Sequence, residues 1–97
     1  MNPFELLKNA QAIKENMAKM QEILPTIHAT GNAGAGMVEI TLNGKFTVTN
    51  VTIDESAALD VETLQLLIQS AFNDASMKLQ QKLQEEGMRA ASMMGGV

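Results

Sequence analysis

A chain of 97 residues with 45% hydrophobic and 19% charged side chains fits one folded domain. A domain of this size buries only about two-thirds of the surface its unfolded form exposes, so oligomerisation is the expected source of further core. The absence of cysteine excludes a disulfide framework, a thiol nucleophile and a Cys-based zinc site. A net charge of −4 argues against nucleic-acid binding as a property of the whole molecule, so any such binding has to come from a local basic patch. No basic segment precedes an apolar run at the N-terminus, and no stretch approaches the ~20 apolar residues needed to cross a bilayer. The expectation is a cytoplasmic protein without a membrane partner.

Asn2-Pro3 opens a helix: Asn is a preferred N-cap, Pro is favoured at the first helical position, and Glu5 stands where a capping box needs it. Leu6, Ala10, Ile13, Met17, Met20 and Leu24 follow at heptad a/d spacing. Two methionines and an alanine weaken this stripe as an autonomous zipper, so the helix is read as one packed on a partner. Pro25 ends it, because the residue before a proline is pushed out of the α region. At 1.5 Å per residue, positions 3 to 23 form a rod of about 31 Å.

Thr26 to Thr30 reads as a short strand with Ile27 and Ala29 inward, and Gly31 to Gly36 as a small-residue connection. The glycines match neither G-x-G-x-x-G nor a Walker A loop, and they lead into a strand rather than a helix. From Met37 onward, Val38, Ile40 and Leu42 alternate with polar residues, the period of a strand with one buried face. Asn43-Gly44 predicts a type I′ turn into a third strand. In that strand Phe46 and Val48 are in one phase and Val51 and Ile53 in the other, so a β-bulge near Thr49-Asn50 is expected to bring all four to one face. Such a small meander cannot bury its face alone.

Asp60 is the expected N-cap of a second helix whose apolar face is Val61, Leu64, Ile68, Ala71, Phe72, Ala75, Leu79 and Leu83. It is predicted to run to about Glu86, with Gly87 as a cap or loosening point and residues 88–97 as a frayed tail. The fold class is therefore α+β: a long helix, a three-stranded antiparallel β-meander and a second long helix, in one domain over residues 1–97.

The residues offer no active site. The single histidine, His28, has neither a Cys nor a second His to work with in general-base or metal chemistry, and its alternation points it outward. Asp54 and Glu55 are adjacent on an extended chain and point apart, which favours a turn role for Asp54. Asn73-Asp74 reads as a polar helix face or a helix-to-loop hydrogen bond. No enzyme, cofactor, metal or small-molecule substrate is expected. Among the few basic residues, Lys78, Lys82 and Arg89 share one stripe of the second helix within about 40°, and Lys8 and Lys19 lie within about 20° on the first. Such stripes can contact a phosphate backbone. Glu85 joins the second stripe, however, and charge alone favours a solvated, internally paired face.

Taken together, GNAGAGMVEITLNG, VTNVTID and LIQSAFNDASMK resemble the YbaB/EbfC family of bacterial nucleoid-associated DNA-binding proteins. The likeness spans nearly the whole chain, including the first helix and the Met/Gly tail. Glu55 stands where members often carry a proline, and Glu85-Glu86 lies beside the basic stripe. The resemblance implies a homodimer whose sheets join at the interface and whose helices project as arms. Double-stranded DNA is the implied ligand, contacted through its backbone, and the implied location is the cytoplasmic nucleoid. Roles in nucleoid organisation, recombination, repair or gene expression follow from the same likeness. Carried over by charge, the DNA-contacting residues are Lys8, Lys14, Lys19, Lys78, Lys82 and Arg89. The competing expectation is a non-enzymatic interaction module whose helical arms clasp a protein partner.

Overall fold

The computed structural model describes the backbone of residues 2–95 and the side chains of residues 2–87. Helix α1 spans Pro3–Ile23, strands β1, β2 and β3 span His28–Ala33, Val38–Asn43 and Val48–Ile53, and helix α2 spans Val61–Gly95. The strands form one antiparallel sheet in the order β1-β2-β3. This is the α+β order expected from the sequence. Helix α2 runs on past Gly87, eight residues beyond that expected stopping point. The expectation of fraying falls on residues whose side chains lie outside the described set.

Local chemistry accounts for the element ends. Asn2 Oδ1 accepts from Phe4 N at 2.9 Å, and Pro3 occupies the first helical position. Glu5 does not complete the capping box, since no bond from it to the Asn2 backbone is present among the described residues. At the other end Pro25 converts the last turn to a 3-10 turn, Leu24–Thr26, with Thr26 Oγ1 donating to Ile23 O at 2.6 Å. Asp60 caps α2 through Glu62 N at 3.2 Å and the Thr63 hydroxyl at 2.7 Å. Asp54 takes the expected turn role, its Oδ1 accepting from the N–H and hydroxyl of Ser56, each at 3.0 Å.

Strand β1 corrects the reading of residues 26–36. It begins two residues later than expected and absorbs Gly31, Asn32 and Ala33 from the supposed connection, because Gly31 packs against α2 as part of the strand. A Cβ at Gly31 would lie 2.1 Å from Ala75 N and 2.2 Å from Ala71 O, so only glycine lets strand and helix backbones meet there. The real turn is Gly34 to Met37, closed by Met37 N to Gly34 O at 3.2 Å, with positive φ at both Ala35 and Gly36.

The second turn is also corrected. Asn43-Gly44 does not form a two-residue I′ turn; Phe46 N donates to Asn43 O at 2.9 Å and Asn43 N to Thr47 O at 3.0 Å, and Phe46 carries the positive φ of 60°. This is a type I turn followed by a left-handed residue, the three-residue hairpin loop. Asn43 Oδ1 holds it by accepting from Lys45 N and Thr47 N. Gly44 is needed for closeness rather than for φ, since its N–H reaches Leu24 O at 2.9 Å and a Cβ would lie 2.5 Å from that oxygen. The hairpin tip thereby fastens the root of α1.

The expected bulge is present, but it serves three of the four residues, since Phe46 lies in the hairpin turn before β3. Leu42 pairs with Val48 and Thr41 with Asn50, leaving Thr49 as the extra residue. Val48, Val51 and Ile53 therefore lie opposite Leu42, Ile40 and Val38, on the core face. Helix α2 covers that face only over β1 and β2. Ile27, Val38, Ile40, Leu42, Ala71, Ala75 and Leu79 form the core, with Leu24, Ala29, Ala33, Leu64, Leu67 and Leu83 packed around it. Val61, Ile68 and Phe72, expected on the buried face of α2, are exposed on its flank. Helix α1 has no buried residue, and the molecule measures 66 × 22 × 18 Å with a radius of gyration of 19.1 Å. A compact chain of this length would have about 12.5 Å.

Candidate nucleic-acid interface

The basic residues singled out from the sequence fall into two groups that the fold treats differently. Lys8, Lys14 and Lys19 lie on α1, all exposed. Among the described residues none of them makes an ion pair or a side-chain hydrogen bond. Lys8 and Lys19 occupy the side of α1 away from the Leu6-Ile13-Met17 stripe, because residues eleven apart return to within about 20° on a helix. Glu5, Glu15 and Glu22 share the exposed surface of α1, so the arm carries both signs of charge.

The α2 group is engaged. Lys78 Nζ pairs with Asp74 Oδ2 at 2.9 Å and approaches Thr30 O at 3.4 Å, and Lys82 Nζ donates to His28 O at 2.7 Å. Asp74 also accepts from Asn32 N at 3.0 Å. The Lys78 ammonium, and after it the Asn32 N–H, holds the Asp74 carboxyl below its ordinary value. The helix-to-loop bond read at Asn73-Asp74 is thus a helix-to-strand bond made by Asp74. The Arg89 side chain lies outside the described residues. Lys45 was not among the sequence-derived candidates; it follows Gly44 in the hairpin tip, so the Gly44–Leu24 bond brings its backbone to the root of α1.

His28 is exposed, its Nδ1 3.2 Å from Thr26 O. Among the described residues no cluster of His, Asp or Glu could hold a metal ion, and no helix is long and apolar enough to cross a membrane. A shallow apolar groove of about 370 Å³ lies along α1 beside Ile13, Asn16, Met17, Met20 and Gln21. Fold and site together define a small α+β scaffold that presents a helical arm, apolar along one side and charged along the other.

Comparison with known proteins places that scaffold. Residues 1–95 match the YbaB/EbfC DNA-binding family. Nucleoid-associated proteins from several strains of Coxiella burnetii are 39% identical over 92 residues, covering 94% of this chain and 84% of theirs. The crystal structure of an uncharacterized Helicobacter pylori protein has the same fold, with a TM-score of 0.81 at 23% identity, covering 93% of this chain and 97% of that one. The chain belongs to the YbaB/EbfC DNA-binding family.

Proposed function

We propose that this chain is a nucleoid-associated protein that binds double-stranded DNA as a homodimer, through phosphate contacts from the lysines of α1. Family membership over residues 1–95 supports DNA as the ligand, and the carrying observation for the site is that Lys8, Lys14 and Lys19 are unengaged on a projecting arm. An acidic chain binds a polyanion only by presenting its cations on one side, and two-fold symmetry doubles each such set. Lys78 and Lys82 rank behind them because β1 already holds both ammonium groups. The homodimer is supported by the bare Ile13-Met17 side of α1 and the uncovered apolar face of β3. No catalytic step is assigned, and the nucleoid is the proposed location.

The test is an anisotropy titration on duplex DNA across salt concentrations. Replacing Lys8, Lys14 and Lys19 by Gln is expected to weaken binding to all sequences alike. It should also flatten the salt dependence by about 0.9 unit of slope for each phosphate that is no longer neutralised. Unchanged affinity and slope would sink this assignment and make the α2 stripe, Lys78, Lys82 and Arg89, the next set. The bare stripe of α1 also favours a second reading, in which the arms clasp a protein partner; failure of both lysine sets would support it.

A further inference from the structure

The free edge of β1 is partly occupied. His28, Thr30 and Asn32 turn their backbone groups away from β2, as the alternation of an antiparallel pair requires, and a side chain of α2 meets each residue. Asp74 Oδ2 accepts from Asn32 N at 3.0 Å, Lys78 Nζ lies 3.4 Å from Thr30 O, and Lys82 Nζ donates to His28 O at 2.7 Å. The chemistry matches at three of the six outward groups, with a carboxylate at the Asn32 N–H and an ammonium at the Thr30 and His28 carbonyls. The spacing matches too. Four helical residues advance about 6 Å and two strand residues about 6.6 Å. Because α2 runs opposite to β1, the three pairs stay in register. The close approach at Gly31 brings the helix within reach of the edge.

The β3 edge is the reverse. Thr52 and Asn50 face Glu39 and Thr41 across the ladder, so the backbone groups of Val51 and Ile53 point outward. Among the described residues no side chain meets them. The strand, VTNVTI, has no charge or proline to blunt an unpaired edge, and its one such device, the bulge at Thr49, lies before Val51 and Ile53. Its Val48, Val51 and Ile53 lie on the core face yet are 44%, 48% and 39% exposed.

We propose that Asp74, Lys78 and Lys82 form a side-chain ladder that closes the β1 edge to strand addition, so that a second copy of this chain extends the sheet along β3 alone. The β3 half of this rests on the homodimer reading above, and sedimentation at micromolar concentration separates the two. The wild type is expected to be a dimer. Combining Asp74→Leu, Lys78→Met and Lys82→Met keeps the side-chain bulk, removes all three partners and opens the second edge, so that variant is expected to associate beyond the dimer. Lys82→Met alone, which leaves the Asp74–Lys78 pair, is expected to do so to a smaller extent and replaces the triple variant should that not fold. Val51→Pro removes an outward N–H without touching the bonds to β2, and its dimer dissociation constant is expected to rise at least tenfold. An edge-opened variant that stays dimeric, or Val51→Pro that dimerises like the wild type, overturns the proposal while the homodimer stands. A wild-type monomer would remove the homodimer instead. Onset of self-association in the triple variant would then still support the ladder, and its absence would refute it.

Discussion

Helices α1 and α2 carry apolar stripes of similar regularity, yet Ala71, Ala75 and Leu79 of α2 are fully buried while Ile13 and Met17 of α1 are 60% and 62% exposed. The difference lies in what each helix meets within its own chain. Helix α2 lies on a sheet whose glycine at position 31 lets backbones touch, whereas α1 leaves the body at Pro25 and is held at its root, by the Gly44–Leu24 bond and the packing of Leu24 on the core. Most helical stability in proteins comes from packing an amphipathic face rather than from propensity, and α1 buries none of its 21 residues. Periodicity thus reports that a helix needs a partner and says nothing of whether the partner belongs to the same chain.

The sharpest way to break the contrast is to separate α2 from the sheet. Gly31→Ala forces a Cβ into the backbone of Ala71 and Ala75. It should cost about 3 kcal/mol or more, seen as a lowered denaturant midpoint or loss of a cooperative transition. Gly36→Ala, with nothing nearer than 3.9 Å but a φ of +89°, should cost about 1 kcal/mol and serves as the control.

A change on α1 should have the opposite signature. Ile13→Asp with Met17→Lys alters side chains that touch no core residue, so the unfolding of the sheet and α2 should persist. Sedimentation should show the dimer dissociation constant raised about a hundredfold, as expected when two apolar side chains are removed from an interface. A dimer of undiminished affinity would show that α1 pairs with nothing in the second copy.

The smallest effect concerns acid. Asp54 is held below the ordinary 3.8 by Ser56, chiefly its backbone N–H, Asp60 by the Thr63 hydroxyl, and Asp74 by Lys78. A carboxyl whose folded pKa is depressed contributes stability above its unfolded pKa, and that contribution fades as pH falls through the folded value. Melting temperature should therefore decline below about pH 4, and Asp54→Asn should make the acid limb shallower. An acid limb as steep as the wild type's would show that Asp54 contributes nothing to it. All three carboxyls are surface groups, so each share is small.

Features settled within a few residues were legible before folding. The Asn2-Pro3 and Asp60 caps, the stop at Pro25, the alternation of Val38, Ile40 and Leu42 and the phase slip that makes Thr49 the bulge are all local, because each depends on backbone preferences and nearest neighbours. Features that depend on distant backbone were not. Asn43-Gly44 has the composition of a I′ turn, but Gly44 is needed against Leu24, and the positive φ moves to Phe46. Gly31 looks like linker composition and is strand, because α2 can approach only there. The lysines of α1 and α2 look alike in sequence. Only the 3.0–3.4 Å helix–strand contacts and the 2.7 Å Lys82–His28 bond separate those held at the β1 edge from those left to solvent, since a salt bridge or a sheet edge exists only once the chain has folded back on itself.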